Sequence, residues 1–167
     1  MAKSSPRAGS ATDERPPTAV AIALGSNLGD RAAHLAFALD RLRPVLDHLR
    51  VSRFVDTEPV GVGPQPTFLN AAAVGHVTLG PRPLLEILLA IERDRGRERP
   101  FPNAPRTLDL DLILFGQEIV SEPGLTIPHP RFRERAFVLG PLVEIAADMR
   151  DPVTGRTVGE IWEGLPR

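Results

Sequence analysis

The chain contains no cysteine and no tyrosine, and Lys3 is its only lysine. Without cysteine it has no thiol nucleophile, no cysteine-ligated zinc, no iron–sulfur cluster and no disulfide. Without a lysine in the body of the chain it has no Walker A lysine, no Schiff-base lysine and no kinase-type lysine. If this protein handles phosphates, it does so with arginine, backbone amides and metal ions.

The size and charge of the chain are those of one ordinary domain. Its 167 residues, 42% hydrophobic and 25% charged, can bury one core but cannot build two enzymatic domains. The 20 basic residues nearly cancel the 21 acidic ones, which argues against a nucleic-acid or membrane-surface partner. No apolar run approaches the roughly 18–20 residues of a membrane span, and no signal core is visible. We expect a cytoplasmic protein that acts as a monomer.

Hydrophobic patterning divides the chain into a polar tail and one domain. Residues 1–17 are polar and rich in proline and serine, so we expect a disordered tail followed by a single domain over 18–167. Strands are predicted over 19–24, 50–56, 68–78 and 107–115, with 118–120 as the hairpin partner of the last. A leucine pattern of helical spacing predicts a helix from Asp30 to Leu49, with Pro44 as the point where it would kink or divide. Further helices are predicted from Gly80 to Arg95, over 138–147, and from the capping box of Thr157 and Glu160.

This order of elements predicts an α+β fold. Strand, helix, strand, strand, helix, strand is typical of a ferredoxin-like βαββαβ core, an antiparallel-rich sheet with helices packed on it. An extra C-terminal hairpin and helices would extend that core. Two stretches interrupt it, 58–66 with three prolines and two glycines, and 97–105, and both are predicted to be irregular loops.

Two carboxylates stand on the clearest strand. Asp109 and Asp111 are two residues apart, so both side chains leave the same face while Leu110 leaves the other. At a separation of roughly 6–7 Å, two negative charges repel by about 2–3 kcal/mol at an effective dielectric near 20. Carboxylate oxygens at this spacing suit Mg²⁺, which takes one or two carboxylates and completes its shell with water and phosphate. The alternative is a solvated strand face neutralised by arginines.

Arginines flank this strand on both sides. Arg93, Arg95, Arg97 and Arg99 alternate along the end of a helix and the following loop, and Arg106 precedes the strand. Cations on a loop beside a metal-binding carboxylate pair can neutralise a polyphosphate and exclude water. Arginine-rich segments are more often solvated surface, and that interpretation also stays open.

Downstream residues suggest further contacts. His129 lies between two prolines that restrict the backbone, and three arginines follow it, at 131, 133 and 135. A rigid turn can aim an imidazole at a phosphate, although an isolated histidine is more often a structural hydrogen-bonding group. Phe68 and Phe137 can sandwich a flat heterocycle whose edge Asn70 reads. Taken singly, each phenylalanine also fits a core position.

Four segments together resemble one family. Residues 23–29 (ALGSNLG), 68–72 (FLNAA), 105–112 (PRTLDLDL) and 127–131 (IPHPR) are similar in order and spacing to the 6-hydroxymethyl-7,8-dihydropterin pyrophosphokinases. The PRTLDLD segment is highly specific, and the resemblance extends from about Thr18 to Leu165. The chain differs where members often carry Trp-Gly, since it has Asn103-Ala104 there.

The resemblance implies transfer of the β,γ-pyrophosphoryl unit of ATP to the hydroxymethyl group of a reduced pterin, with release of AMP. By similarity, two Mg²⁺ ions are held by Asp109 and Asp111, and charge on the transferred group is stabilised by Arg97 and Arg106. The implied ATP contacts are Arg97, Arg106, the backbone of Leu112, His129 and Arg135. The implied pterin contacts are Thr57, Val60, Phe68, Asn70 and Phe137.

Two other functions remain open on the residues alone. A palm-like nucleotidyl transferase also places metal-binding aspartates on such a sheet, but the chain shows no sustained basic groove for a polymer. A non-catalytic ferredoxin-like regulatory or RNA-binding module does not need Asp109 and Asp111 together, and the RNA-binding form expects sheet aromatics that this chain hardly offers.

Overall fold

The computed structural model describes residues 15–58, 66–96 and 107–166, and within them the protein is a mixed α/β protein. The strands are β1 (Thr18–Ser26), β2 (Asp47–Val51), β3 (Val55–Thr57), β4 (Phe68–Val77), β5 (Asp109–Phe115), β6 (Val120–Glu122) and β7 (Leu125–Ile127). The helices are α1 (Arg31–Leu42), α2 (Pro81–Asp94), α3 (Ala136–Ala146) and α4 (Val158–Glu163), and a 3-10 turn spans Phe132–Glu134. In these ranges no helix has both the length and the apolar character needed to cross a membrane.

One antiparallel sheet organises the molecule. Its strands lie in the order β2-β4-β1-β5, and β3 also pairs with β4. The second sheet has two strands, β6 and β7. The two faces of the large sheet bury different clusters. Leucines of α1 and α2 pack on one face around Leu110 and Leu112, whereas α3 and α4 pack on the other around Ala21 and Val74.

A bulge in β5 changes which residues face each cluster. Ala21 pairs with Leu114 and Ile22 pairs with Leu112, so Ile113 is the extra residue. Ile113 and Leu114 both join the α3–α4 cluster. The β5 sequence therefore alternates as far as Leu112 and is wholly apolar afterwards, because both faces of the sheet are covered beyond that point.

The helix predicted from Asp30 to Leu49 is too long. Asp30 caps it as expected, its side chain accepting from the Ala33 N–H at 3.1 Å, but α1 ends at Leu42. Pro44 cannot continue the helix because its ring would clash with the preceding turn. Leu46 enters the core from a turn instead, and Leu49 belongs to β2. Helical spacing of leucines thus continued past the helix end because both the turn and the next strand bury leucines.

The strand predicted over 50–56 is divided into β2 and β3. Val51 pairs with Ala73 and Val55 with Asn70, so four steps on one strand oppose three on the other. Ser52 occupies the break, where its hydroxyl accepts from the Ala72 N–H at 2.8 Å and its own N–H donates to the Ala72 carbonyl at 2.9 Å. A serine side chain therefore supplies the acceptor that the interrupted ladder lacks.

The predicted pairing of 118–120 with the last strand is wrong. Val120–Glu122 pairs with Leu125–Ile127, and not with β5. Burial explains the choice, since Leu125 and Ile127 enter the α1–α2 cluster whereas Ile119 is 64% exposed. The other predicted elements are confirmed within a few residues, including α3 despite Pro141 and the capping box of α4.

Contacts with the fold begin before the predicted boundary at Thr18. The Arg15 N–H donates to the Thr78 carbonyl at 2.7 Å, and its guanidinium pairs with Glu118 at 2.6 Å. The preceding residues of the predicted tail lie outside the described residues. Arg15 thus belongs to the domain that was expected to start at 18.

Candidate active site

The strand pairing places three site residues in one row across the sheet. Asp109 of β5 lies opposite Gly25 of β1, and Gly25 lies opposite Asn70 of β4. Directly paired residues point to the same face, so Asp109 and Asn70 flank Gly25 on the face that carries α3. Asp111 lies two residues further along, opposite Ala23. The predicted common face of Asp109 and Asp111 is confirmed, with Leu110 buried on the opposite side.

Gly25 keeps the centre of this row open. A Cβ at this position would lie 3.1 Å from Asn70 Oδ1 and 3.8 Å from the Phe68 ring. A larger residue would therefore fill the space between the carboxylates and the amide. In the sequence Gly25 is visible only as part of the ALGSNLG segment, because the strand register is what brings it between Asp109 and Asn70.

Three residues of the implied pterin group lie together on β3 and β4. Thr57 and Phe68 are cross-strand partners, and the Asn70 amide donates to the Thr57 hydroxyl. Asn70 is buried and this bond fixes which way its amide faces, leaving Oδ1 on the side of Gly25. A buried, oriented amide beside a half-buried aromatic ring is suited to reading the edge of a flat heterocycle. Val60, the remaining member from this part of the chain, lies outside the described residues.

His129 is held against the edge of β5. Its backbone N–H donates to the Ile113 carbonyl at 2.9 Å, and its ring Nδ1 accepts from the backbone N–H of Arg131 at 3.1 Å. Burial lowers the pKa of His129, Arg135 and Arg131 lower it further, and Asp109 opposes them. The imidazole is therefore neutral near pH 7. With Nδ1 as an acceptor, its proton is on Nε2, which can donate to an anionic oxygen.

The three arginines after His129 have different contacts. Arg133 binds Asp151 at 2.6 and 3.0 Å, and Arg131 pairs with Glu134 at 3.3 Å. Arg135 instead lies 5.5 Å over the Phe137 ring, at the start of α3. The three arginines therefore have different partners, and Arg135 is the one associated with both His129 and Phe137.

Glu92 holds β5, the strand that carries Asp109 and Asp111, and the sequence did not predict this role. It is a buried residue of α2 whose Oε2 accepts from the Leu110 N–H at 2.7 Å. Leu110 lies between the two aspartates, so this bond fixes the backbone from which they project. Its position beside Ile91 in an apolar helix face gave no sign of this contact. Leu112 buries its side chain in the α1–α2 cluster, so its implied nucleotide contact involves the backbone alone.

The donor set of the site fits a magnesium ion shared with phosphate. Asp109 and Asp111 offer hard oxygen ligands from one face of a strand, the number that Mg²⁺ commonly takes from a protein. Across the described ranges, no three or more histidine, cysteine or acidic side chains form a metal-binding group. A magnesium ion held by these two carboxylates would complete its shell with water and substrate oxygens, as Mg²⁺ commonly does. Arg97 and Arg106 lie outside the described residues.

Comparison with known proteins identifies the family. The family model described as 7,8-dihydro-6-hydroxymethylpterin-pyrophosphokinase matches residues 21–147. The chain belongs to this pyrophosphokinase family. It is therefore an enzyme of the class that the sequence resemblance indicated.

Individual members of the pyrophosphokinase family are similar over most of the chain. The 2-amino-4-hydroxy-6-hydroxymethyldihydropteridine pyrophosphokinase of Pseudomonas aeruginosa is 40% identical over 149 residues, which cover 88% of this chain and 91% of that protein. The folic acid synthesis protein fol1 of Pneumocystis carinii is 38% identical over 148 residues, 88% of this chain but 20% of that much longer protein.

A solved structure shares the fold. The crystal structure of wild-type Plasmodium falciparum HPPK-DHPS aligns with a TM-score of 0.72 at 13% identity, covering 91% of this chain and 45% of that one. The chain thus spans less than half of this structure and about a fifth of fol1. At this level of identity the structural likeness shows the fold alone.

Proposed function

We propose that the protein transfers the β,γ-pyrophosphoryl unit of ATP to 6-hydroxymethyl-7,8-dihydropterin in a Mg²⁺-dependent reaction of folate biosynthesis. The products are AMP and the pterin pyrophosphate. The main support is the row in which Asp109 and Asn70 flank Gly25 on one sheet face. This row brings one member of a carboxylate pair suited to metal-bound phosphate close to a buried amide suited to a heterocycle, in a member of the pyrophosphokinase family.

Asp109 and Asp111 are the residues that would hold magnesium, two ions by the family resemblance. When bound, the metal neutralises phosphate charge and lowers the pKa of a coordinated hydroxyl. The strand itself holds the carboxylates at a fixed spacing, and Glu92 holds the strand through the Leu110 N–H. The backbone from which the two carboxylates project is therefore fixed on both sides of Leu110.

The proposed reaction forms one bond and breaks another at the β-phosphorus. The pterin hydroxymethyl oxygen bonds to this phosphorus, and the bond to the oxygen bridging the α-phosphorus breaks. AMP leaves with that oxygen, and the hydroxyl proton is released. The chain has no cysteine and no lysine other than Lys3, and the reaction needs no covalent enzyme intermediate, so the proposed roles of its residues are positioning and charge stabilisation.

Each substrate has its own set of proposed contacts. Thr57, Phe68, Asn70 and Phe137 would bind the pterin, with Val60 added by the family resemblance. The Nε2–H of His129, the guanidinium of Arg135 and the Leu112 backbone would bind ATP. Arg97 and Arg106 would stabilise charge on the transferred group, again by resemblance. The two sets meet at the start of α3, where the Arg135 guanidinium lies 5.5 Å over the Phe137 ring, which suits an in-line transfer between two adjacent substrates.

We also propose a ferredoxin-like description of the core and a monomeric enzyme with two small-molecule substrates and no nucleic-acid or membrane partner. The strand order β2-β4-β1-β5, antiparallel throughout, supports the first. The antiparallel pairing of β6 with β7 supports an extra hairpin outside that core, although not the one predicted with the last strand. The near-balanced charge of the chain supports the absence of a polyanionic partner.

Product analysis tests the reaction directly. The purified protein is incubated with ATP, Mg²⁺ and the hydroxymethyldihydropterin, and the nucleotide products are separated. AMP release that requires both the pterin and Mg²⁺ is expected. Release of pyrophosphate would indicate nucleotidyl transfer instead, and absence of both products would contradict the proposal.

A further inference from the structure

Arg31, the first residue of α1, connects the ends of two strands. Its Nη1 donates to Asp56 Oδ1 at 2.6 Å, and to the carbonyl and hydroxyl of Thr67, each at 3.0 Å. The Thr67 hydroxyl in turn donates to Asp56 Oδ1 at 3.3 Å. Because Asp30 caps α1 at the preceding residue, the guanidinium projects from a fixed helix start.

Both residues that Arg31 binds are next to proposed pterin contacts. Asp56 precedes Thr57, and Thr67 precedes Phe68. Thr57 and Phe68 are cross-strand partners. Alternation along β3 sends the Asp56 side chain to the α1 face and the Thr57 side chain to the site face. Arg31 therefore holds the β3–β4 pair from the face opposite the pterin contacts.

We propose that Arg31 is a positioning residue for the pterin, acting through Asp56 and Thr67 on Thr57 and Phe68. This inference rests on the proposed function. Strand β3 is only three residues long, so few ladder bonds fix its offset against β4. The contacts of Arg31 supply that constraint from outside the ladder, and they involve none of the proposed ATP contacts.

The ion pair is too exposed to have a mainly stabilising role. The side chains of Arg31 and Asp56 are 28% and 61% exposed. Ion pairs of this exposure contribute little to the free energy of unfolding, because water screens the two charges. A local effect on pterin binding, with little change in melting temperature, is what distinguishes positioning from general stabilisation.

Steady-state kinetics of Arg31→Met test the inference. The KM for the pterin is expected to rise about tenfold, the size of a lost hydrogen bond to a charged group, while the KM for ATP and kcat change by less than about twofold. Arg31→Lys should restore part of the pterin KM, because an ammonium group offers three donors. Thr67→Val, which removes the hydroxyl but keeps the side-chain shape, should raise it about threefold.

Arg82→Met is the matched control. Arg82 makes the same kinds of bond elsewhere, donating to Glu122 at 2.9 Å and to the Pro123 carbonyl at 3.0 Å. Its removal should leave both KM values unchanged.

An unchanged pterin KM in Arg31→Met, or equal increases for both substrates, would overturn the inference, as would the same increase in Arg82→Met. If Arg31→Met does not fold, an unchanged pterin KM in Thr67→Val overturns it. Wild-type protein without pterin-dependent AMP release would overturn the proposed function itself.

Discussion

The sheet face that carries α3 differs between its two ends, one of which is apolar and buried while the other carries the polar residues of the site. At one end α3 packs on Ala21, Val74 and Ile113, and the face is closed by apolar side chains. At the other end the same strands present Asp109, Asp111 and Asn70. The change occurs along β5 between Asp111 and the bulge at Ile113.

This difference shows how one strand, β5, can both pack in the hydrophobic core and carry the carboxylates of the candidate active site. Its residues on the α1–α2 face, Leu110 and Leu112, remain apolar throughout, so the strand is held in the core along its whole length. The α3 face is then available for carboxylates wherever no helix covers it. Substitutions at the two ends of β5 should therefore separate activity from stability.

The largest effect is expected for Asp111→Asn at the polar end. Loss of one magnesium ligand should lower kcat by about 100-fold to 1,000-fold, since a catalytic metal contributes several kcal/mol to transition-state stabilisation. The free energy of unfolding should change by less than about 1 kcal/mol, because the side chain is isosteric and like-charge repulsion decreases. Near-wild-type turnover of the folded variant would contradict the assignment.

Ile113→Ala at the closed end should show the opposite behaviour. Ile113 is buried, and removal of its side chain from the α3–α4 cluster should destabilise the fold by about 2–5 kcal/mol. Urea denaturation measures this loss. The kcat of the fraction that remains folded should stay close to that of wild type, and a large fall in kcat would mean that the two ends are coupled.

A third test uses the buried carboxylate of Asp151, whose partner Arg133 follows Phe132 of the α3–α4 cluster. Burial alone would raise the pKa of Asp151, but hydrogen bonds from Arg133, Thr154 and the Val153 N–H lower it to about 2. A carboxyl pKa below its unfolded value adds stability above about pH 4, which is lost as pH falls toward 2. Asp151→Asn should remove about 2 kcal/mol of this acid-dependent loss. Parallel plots of unfolding free energy against pH for the variant and wild type would refute the assignment.

The smallest effect is expected for Gly25→Ala at the centre of the polar row. Its Cβ would lie 3.1 Å from Asn70 Oδ1, so the amide has to shift by a few tenths of an ångström. The pterin KM should rise about threefold to tenfold if that amide reads the heterocycle. Isothermal titration with the pterin and a non-hydrolysable ATP analogue provides an independent readout, and unchanged pterin affinity would remove Asn70 from the site.

Features that depend on local spacing could be predicted from the sequence. The common face of Asp109 and Asp111 follows from the two-residue period of a strand, and the α4 capping box follows from Thr157 and Glu160 alone. Prediction failed where distant segments compete. The regular spacing of leucines continues beyond the end of α1, because the following turn and strand also bury leucines. The partner of β6 depends on a different factor, the burial of Leu125 and Ile127 of β7 in the core.

The sequence alone determined the carboxylate pair, the family resemblance and most of the elements, because each depends on residues close together in the chain. Only the tertiary structure decided that Gly25 separates Asp109 from Asn70, that Glu92 holds Leu110, and that Arg31 connects Asp56 with Thr67. These contacts depend on strand register and helix placement. Register and placement result from burying apolar side chains over the whole domain, which no local pattern records.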